Sequence, residues 1–235
     1  MLWQVNMIMK LEDFEYYREP SGVIYCGDCL EILPLLESGS VDLVVTDPPY
    51  GINLQPQRGK TKPIQNDGVG QASKLWFDVV PLLHRAMKND TAGLVFGGWS
   101  ELWTKDMLDE WFVVKGCICW KKNNFGIGYY LRPQWELAWY IHKGKPPVPA
   151  SAISDVWECE REIAPIHSCQ KPIKLLEKGV NFCGGDLVLD PFLGSGTTAV
   201  AAKQLGRKFI GIEIEEKYCE MAKQRLAQEE LALAS

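Results

Sequence analysis

Short apolar runs alternate with longer amphipathic segments along most of this 235-residue chain. Apolar runs bounded by Gly, Pro or Asp predict buried strands, and apolar positions spaced three or four apart predict helices. The predicted strands are Val23–Cys26, Leu43–Thr46, Gly93–Phe96, Val113–Trp120, Trp135–Ile141, Leu187–Asp190 and Phe209–Ile214. The predicted helices are Cys29–Leu36, Ala72–Met87, Ser100–Glu110, Lys171–Phe182, Thr197–Leu205 and Glu215–Ala227. This alternation predicts an α/β fold with a mostly parallel sheet.

Proline and glycine positions refine these elements. Pro34 and Pro81 lie inside the first two predicted helices, which a proline should end or kink. Two stretches, 51–71 and 144–165, predict loops, and the second contains the run Pro146-Pro147-Val148-Pro149. We expect a single domain over residues 1–235, although the length alone also allows two.

Composition indicates an ordinary globular protein, with 46% hydrophobic and 23% charged residues. No apolar stretch approaches the ~20 residues that span a membrane, so no membrane partner is expected. Residues 1–10 lack the pattern of a secretory signal. Eight cysteines without such a signal predict reduced thiols and a cytoplasmic location. Cys26 and Cys29 have a metal-like spacing, but no second pair matches it, which favours buried structural thiols and no metal site.

Asp47-Pro48-Pro49-Tyr50 directly follows the predicted strand that ends at Thr46. Two consecutive prolines fix φ and remove two backbone donors, so the local polar surface consists mostly of carbonyl groups. This set suits a planar ring with an exocyclic amine, because Asp47 and a carbonyl can accept N–H bonds while Tyr50 stacks on the ring. An ordinary exit from a strand into a turn is the alternative interpretation.

A second motif, residues 188–198, has the form of a strand, a glycine-rich turn and a helix start. Gly194 and Gly196 allow a sharp turn and a close approach to a ligand. Thr197 and Thr198 can cap a helix whose free N–H groups attract an anion. The next predicted strand ends near Glu213, about 23 residues beyond Asp190, which is about where a nucleotide-binding fold places the acid that accepts hydrogen bonds from the ribose hydroxyls.

With these two motifs, the chain resembles the amino-methyltransferases of DNA that use S-adenosylmethionine, in the group with the catalytic motif before the glycine motif. Three further segments resemble that family: Gly27–Leu33, Arg132–Glu136 and His167–Pro172. The likeness covers Ser21 to Leu226. One departure is Ser168-Cys169, where the family usually has Pro-Thr.

The resemblance implies a Rossmann-like methyltransferase fold with a seven-stranded sheet, helices on both faces and a permuted motif order. One strand of that sheet is antiparallel, and Trp135–Ile141 is the expected one. The implied catalytic residues are Asp47, Pro48, Pro49 and Tyr50. The implied S-adenosylmethionine contacts are Asp28, Cys29, Lys171, Asp190, Phe192, Gly194, Ser195, Gly196, Thr197, Thr198 and Glu213. Asp28 would bind the adenine amine of the cofactor and Glu213 its ribose, although Asp28 could equally be a turn or N-cap residue.

The net charge of −5 argues mildly against a nucleic-acid partner. However, basic residues cluster on both sides of the predicted site, and a locally basic face can supply phosphate contacts. The DNA-binding candidates are Arg58, Lys60, Lys62, Lys121, Lys122 and Arg132. The two predicted loops are the expected DNA-recognition segments, double-stranded DNA is the expected partner, and the protein is expected to be a monomer or homodimer.

Three functions are open at this stage. Adenine-N6 methylation with base flipping is favoured, because in the resembled family Asp at the position of Asp47 leans to adenine. Cytosine-N4 methylation would use the same geometry on another exocyclic amine. A non-catalytic nucleic-acid-binding protein is the third alternative, and RNA as the substrate stays open.

Overall fold

The computed structural model of the protein describes residues 9–49, 70–98, 100, 102–126, 129–148, 152–160 and 170–233. The strands in these ranges are β1 (Glu15–Glu19), β2 (Gly22–Cys26), β3 (Leu43–Thr46), β4 (Thr91–Gly97), β5 (Val113–Lys121), β6 (Trp135–Lys143), β7 (Val156–Glu158), β8 (Leu187–Asp190) and β9 (Lys208–Glu213). The helices are α1 (Cys29–Ile32), α2 (Gln71–Ala86), α3 (Thr104–Asp109), α4 (Ile173–Cys183), α5 (Thr197–Gln204) and α6 (Glu216–Leu233).

All of these strands belong to one sheet, in the order β1-β2-β9-β8-β3-β4-β6-β5-β7. The five strands from β2 to β4 in this order are parallel to one another. β6 runs antiparallel to both β4 and β5, which confirms the predicted antiparallel strand. The sheet differs from the prediction in having nine strands, because β1 and β7 extend its two edges, and β1 is a second antiparallel strand.

Both added strands carry weak sequence signals. β1 has the sequence Glu-Tyr-Tyr-Arg-Glu, whose charges suit a solvated edge strand and conceal the apolar pattern of a buried one. β7 has only three residues and lies inside the stretch 144–165, which was predicted as a loop throughout. Its Trp157 is buried, and this anchors the strand against β5.

The prolines behave differently in the two helices that contain them. α1 ends at Ile32 and continues as a 3-10 turn, Leu33–Leu35, which includes Pro34. In contrast, α2 continues through Pro81 to Ala86, so of the two predicted effects of this proline, ending the helix does not occur. The free energy lost with one backbone hydrogen bond at Pro81 is smaller than the free energy gained by packing this amphipathic helix, whose apolar face buries Trp76 and Leu83.

The core consists of two apolar layers, one on each face of the sheet. Residues of α1, α2 and α3 pack on one face, and residues of α4, α5 and α6 pack on the other. Alternate strand residues face opposite layers: Val44 contributes to the first layer and Val45 to the second. Helices on both faces are therefore confirmed. Within the described ranges, the helices are too short or too polar to cross a lipid bilayer.

Candidate active site

Four acidic residues meet at the side of the sheet where the parallel strands have their carboxyl ends, which we call the carboxyl edge of the sheet. β2, β9, β8 and β3 are parallel neighbours, so their carboxyl ends lie side by side. Glu213 and Asp190 end β9 and β8, Asp47 follows β3, and Asp28 follows β2 after one glycine. The two sequence motifs are thus brought together at neighbouring strand ends.

Asp47 is held by a buried lysine. Lys171 Nζ donates to Asp47 Oδ2 at 2.6 Å and also lies 3.0 Å from Glu136 Oε2. The side chain of Lys171 is 8% exposed, whereas that of Asp47 is 26% exposed. The ammonium also lies 5.4 Å from the centre of the Phe96 ring. One oxygen of Asp47 is therefore fixed from inside the protein, while the carboxylate stays partly accessible from outside.

The charges continue beyond Lys171, because Glu136 also accepts a hydrogen bond from Lys122 through Oε1. Burial by itself lowers the pKa of Lys171, but the carboxylates of Asp47 and Glu136 outweigh it and raise that pKa. Burial would likewise raise the pKa of Glu136, yet Lys171 and Lys122 hold it below its usual value. Lys122, Glu136, Lys171 and Asp47 form an alternating charge chain in which each buried charge has an opposite neighbour.

Asp190 is a structural centre of the site. It is 3% exposed, and its Oδ1 accepts from Thr46 Oγ1 at 2.7 Å and from the Phe192 backbone N–H at 3.1 Å. Its Oδ2 accepts from Thr198 Oγ1 at 2.6 Å. Burial raises the pKa of Asp190 to about 6, although these donors oppose the shift. Such a carboxylate joins β3, β8 and the start of α5, and it has little surface to offer a ligand.

The glycine-rich turn between β8 and α5 requires both of its glycines for different reasons. Gly196 has φ 86°, and a Cβ there would lie 2.6 Å from Ala222 Cβ on α6. Gly194 has φ 54°, and a Cβ there would have no described atom within 4 Å. Gly196 therefore permits close helix packing, whereas Gly194 borders open space.

Arg225 of α6 supports this turn from the protein interior. It is 8% exposed and donates from Nη1 to the Ser195 carbonyl at 2.8 Å and to Thr197 Oγ1 at 3.0 Å. The side chains of Ser195, Thr197 and Thr198 are themselves buried. Their described contacts are internal, so these three residues shape the turn through their side chains.

Glu213 connects β9 to the same turn. Its Oε2 accepts from the Gly194 backbone N–H and its Oε1 from that of Glu215, each at 2.8 Å. Burial raises the pKa of Glu213, against the effect of these two donors. The backbone carbonyl of Glu213 accepts from the Gly27 N–H at 2.9 Å, which links the ends of β9 and β2.

Asp28 and Cys29 begin α1. Asp28 Oδ1 accepts from the Leu30 backbone N–H at 2.9 Å, so the N-cap role considered from the sequence is present. Cys29 is 6% exposed, and burial raises the pKa of its thiol to about 12. Cys29 therefore contributes a neutral, buried side chain, which agrees with the expected structural thiol.

The remaining predicted site residues lie in varied places. Pro48 is buried, Pro49 is half-buried, and the Phe192 ring centre lies 6.1 Å from that of Trp76. Tyr50, Arg58, Lys60 and Lys62 lie outside the described residues.

The described DNA-binding candidates differ in their surroundings. Lys121 is 51% exposed and pairs with Glu158 at 2.8 Å. Arg132 is exposed, donates to the Gly126 carbonyl at 3.0 Å and lies over the Phe125 ring. The side chain of Lys122 is only 12% exposed and belongs to the alternating charge chain. Lys122 is therefore placed to hold Glu136, unlike a solvated lysine on a DNA-binding face.

Two site residues, Glu136 and Arg225, were not predicted from the sequence. Glu136 lies within a family-like segment, and that position was the available signal. Arg225 lies on α6 among other charged residues, and its sequence context gives no sign that it is buried.

Comparison with known proteins agrees with this geometry. Residues 41–224 match the protein family described as DNA methylase. YubD of Escherichia coli (strain K12), provisionally named a methylase, is 30% identical over 214 residues, which cover 88% of this chain and 91% of YubD. The DNA adenine methyltransferase YhdJ of the same organism is 28% identical, with 92% of this chain and 85% of YhdJ covered.

Solved structures are similar as well. The crystal structure of the M1.HpyAVI–SAM complex has a TM-score of 0.64 and 29% identity, covering 86% of this chain and 98% of that one. The cytosine-N4-specific PvuII DNA methyltransferase has a TM-score of 0.74 over 89% of this chain and 87% of its own, at 19% identity, which shows a shared fold. The family match spans well over half of the chain and confirms the resemblance seen in the motifs. The protein belongs to the N6/N4 family of DNA methyltransferases.

Proposed function

We propose that this DNA methyltransferase methylates adenine N6 in double-stranded DNA. The observation that carries the proposal is the position of Asp47, fixed by Lys171 at the end of β3, one strand from the glycine-rich turn at the end of β8. Asp at this motif position favours adenine in the family. The 28% identity with YhdJ, which is named a DNA adenine methyltransferase, supports the same base.

S-adenosylmethionine is the cofactor of this enzyme, and the residues at the strand ends fit it. The open space beside Gly194 can receive a ligand close to the backbone. Glu213 is partly exposed and is oriented by two backbone donors, so its carboxylate can accept ribose hydroxyls. Asp28 lies at the adjoining strand end, where it can accept from an adenine amine. When bound, the cofactor supplies an electrophilic methyl group on its sulfonium.

The residues of the chain then act on the target base. Asp47 and the Pro48 carbonyl accept hydrogen bonds from the two N–H groups of the exocyclic amine. This localises the lone pair of the amine nitrogen and directs it toward the methyl group. Lys171 fixes the Asp47 carboxylate, so part of the alignment exists before the substrate binds. Tyr50 stacks on the target base, which must leave the duplex to reach this edge of the sheet.

Nucleoside mass spectrometry of methylated DNA tests the proposal. Plasmid DNA without prior methylation is incubated with the enzyme and S-adenosylmethionine, and an RNA of mixed sequence forms a parallel sample. We expect N6-methyladenine in the plasmid only, and sequencing of the product then gives the methylated sites. N4-methylcytosine instead of N6-methyladenine, or methylation confined to RNA, would contradict the proposal. Asp47→Ala, which removes the acceptor for the target amine, is the inactive control.

A further inference from the structure

The loop between β5 and β6, residues 122–134, exposes large side chains at its tip. Tyr129 is 94% exposed, Tyr130 is 92% exposed, and Leu131 is 86% exposed. The two tyrosine rings contact each other edge to face, with ring centres 5.0 Å apart. Exposing three consecutive side chains of this size to water is unfavourable. This tip is therefore a candidate contact surface.

The base of this loop is fixed by backbone pairing. Lys122 N–H donates to the Gln134 carbonyl at 2.8 Å, and Gly126 N–H donates to the Pro133 carbonyl at 2.7 Å. The Gln134 side chain adds a bond to the Lys122 carbonyl at 3.1 Å. The pairing between the two sides of the hairpin thus continues beyond β5 and β6 into the base of the loop.

The loop projects from the edge of the sheet that carries the active site. β6 is antiparallel to β4, so its first residues lie at the carboxyl end of β4, beside that of β3. Glu136 of β6 and Lys122 of the loop are members of the alternating charge chain that ends at Asp47. DNA that brings a target base to Asp47 must therefore approach the edge from which Tyr129, Tyr130 and Leu131 project.

The chemistry of the loop also suits DNA. Residues 122–134 include no acidic residue, and they carry the exposed cation Arg132 close to the tip. Tyrosine rings have flat faces that stack on bases of any type, and a leucine can wedge between neighbouring base pairs. When one base is extruded, the faces of its neighbouring bases in the duplex are left uncovered.

We infer that the tip formed by Tyr129, Tyr130 and Leu131 enters the DNA duplex at the position that the target base leaves, where one tyrosine ring stacks on the bases exposed there and the other packs edge to face against it. The inference deepens the proposed function, because it rests on extrusion of the target base. The stacked ring replaces stacking that the duplex loses, the second ring supports it, and this stabilises the extruded complex. The tip therefore acts on DNA affinity and has no role in binding S-adenosylmethionine.

Binding measurements on a short duplex that contains a mapped methylation site test this inference. We expect Tyr129→Ala with Tyr130→Ala to weaken the binding of this duplex about tenfold, because the one stacking ring and its support are lost. Tyr129→Phe with Tyr130→Phe should stay close to wild type, because a ring face is enough. A duplex of equal length and base composition without the site should bind wild type and the alanine pair alike, since its bases stay stacked.

Trp111→Ala is a matched control, because Trp111 is an aromatic residue, 46% exposed, that precedes β5 at the opposite edge of the sheet. Its affinity for DNA should be unchanged. Affinity for S-adenosylmethionine without DNA should be equal in all variants, which also verifies that they fold.

Equal affinity of the alanine pair and wild type for the site duplex would overturn the inference. Light scattering gives the second decisive outcome: a dimeric wild type with a monomeric alanine pair would identify the tip as a contact between protein copies. Failure of the proposed function looks different, because wild-type enzyme would then leave adenine unmethylated whatever the loop does.

Discussion

At the scale of single residues, Asp190 has a buried carboxylate whose titration should affect stability. Its pKa is about 6 in the folded protein, above the ordinary value of 3.8. Because folding raises this pKa, the stabilising contribution is complete below the unfolded value and is lost as the pH rises through about 6. We expect Asp190→Asn to abolish this contribution. The free energy of unfolding of the wild type should therefore rise relative to that of the variant as the pH falls from about 7.5 to about 5. Urea unfolding at the two pH values measures it.

The hydrogen bonds of Asp190 predict that Asn is tolerated. The Asn Oδ1 can keep both Oδ1 partners, Thr46 and Phe192, and the Thr198 hydroxyl can turn to accept from the new amide. The free energy of unfolding near neutral pH should change by about 1 kcal/mol or less, whereas Asp190→Ala leaves three donors unpaired and should cost about 3 kcal/mol. If the asparagine variant folds yet fails to bind S-adenosylmethionine, Asp190 contacts the cofactor directly.

Lys171 should act on catalysis through Asp47. Lys171→Met removes the cation that fixes Asp47 Oδ2, and we expect kcat to fall about 100-fold through misalignment. The KM for S-adenosylmethionine should change only slightly. The same substitution leaves Glu136 with one of its two cations, which should lower the free energy of unfolding by about 3 kcal/mol. Steady-state kinetics and urea unfolding measure the two effects.

A second variant separates positioning from stability. Lys171→Met combined with Glu136→Gln removes the carboxylate that is left with one cation, and the new Gln Oε1 can still accept from Lys122, so part of the stability should return. Activity should stay low, because Asp47 is still unsupported. Recovery of both quantities together would mean that Lys171 serves only the fold.

At the scale of elements, the two glycines of the turn between β8 and α5 should respond differently to alanine. Gly196→Ala places a Cβ 2.6 Å from Ala222 Cβ and should cost about 3 kcal/mol of stability. Gly194→Ala meets no described atom and should cost about 1 kcal/mol, mainly from its positive φ. Its new methyl group enters the space assigned to the cofactor, so calorimetry should show weaker S-adenosylmethionine binding in a folded protein. Unchanged binding would remove the cofactor from that space.

The central strands could be predicted from the sequence because their burial leaves continuous apolar runs. β3 and β8 have the predicted bounds, and both are almost wholly buried. β1 and β7 could not be predicted, since an edge strand needs few apolar residues and β7 has only three residues in all. Pairing with an existing edge defines such strands, and pairing is a property of the folded sheet.

The site was predictable where chemistry is local and unpredictable where it depends on packing. Asp47 and the glycine turn stand in motifs whose residues are neighbours in sequence, and Glu213 follows the turn at a characteristic spacing. Glu136 and Arg225 reach the site from elements distant in the chain, and their contacts arise only when α6 and β6 have packed.

At the scale of the whole molecule, an acidic protein must still bind a polyanion. The net charge is −5, and the described basic residues near the site are partly engaged with acidic neighbours. Lys122 is unsuitable for testing phosphate contacts, because its substitution would disturb Glu136 and Lys171. Lys121 is suitable, since its pair with Glu158 is exposed, and exposed ion pairs are weak and easily exchanged for other partners.

We therefore expect DNA affinity to fall steeply with salt, and Lys121→Gln to reduce the slope of log K against log salt by about 1. Lys88→Gln is the matched control, because Lys88 is 46% exposed and pairs with Asp42 at 2.7 Å, near the opposite edge of the sheet. Its slope should equal that of wild type. Fluorescence anisotropy over a series of salt concentrations gives the three slopes. A steep wild-type slope that Lys121→Gln leaves unchanged would assign the phosphate contacts to other cations. Binding that does not depend on salt would show that none of the basic candidates on either side of the site contacts the DNA backbone.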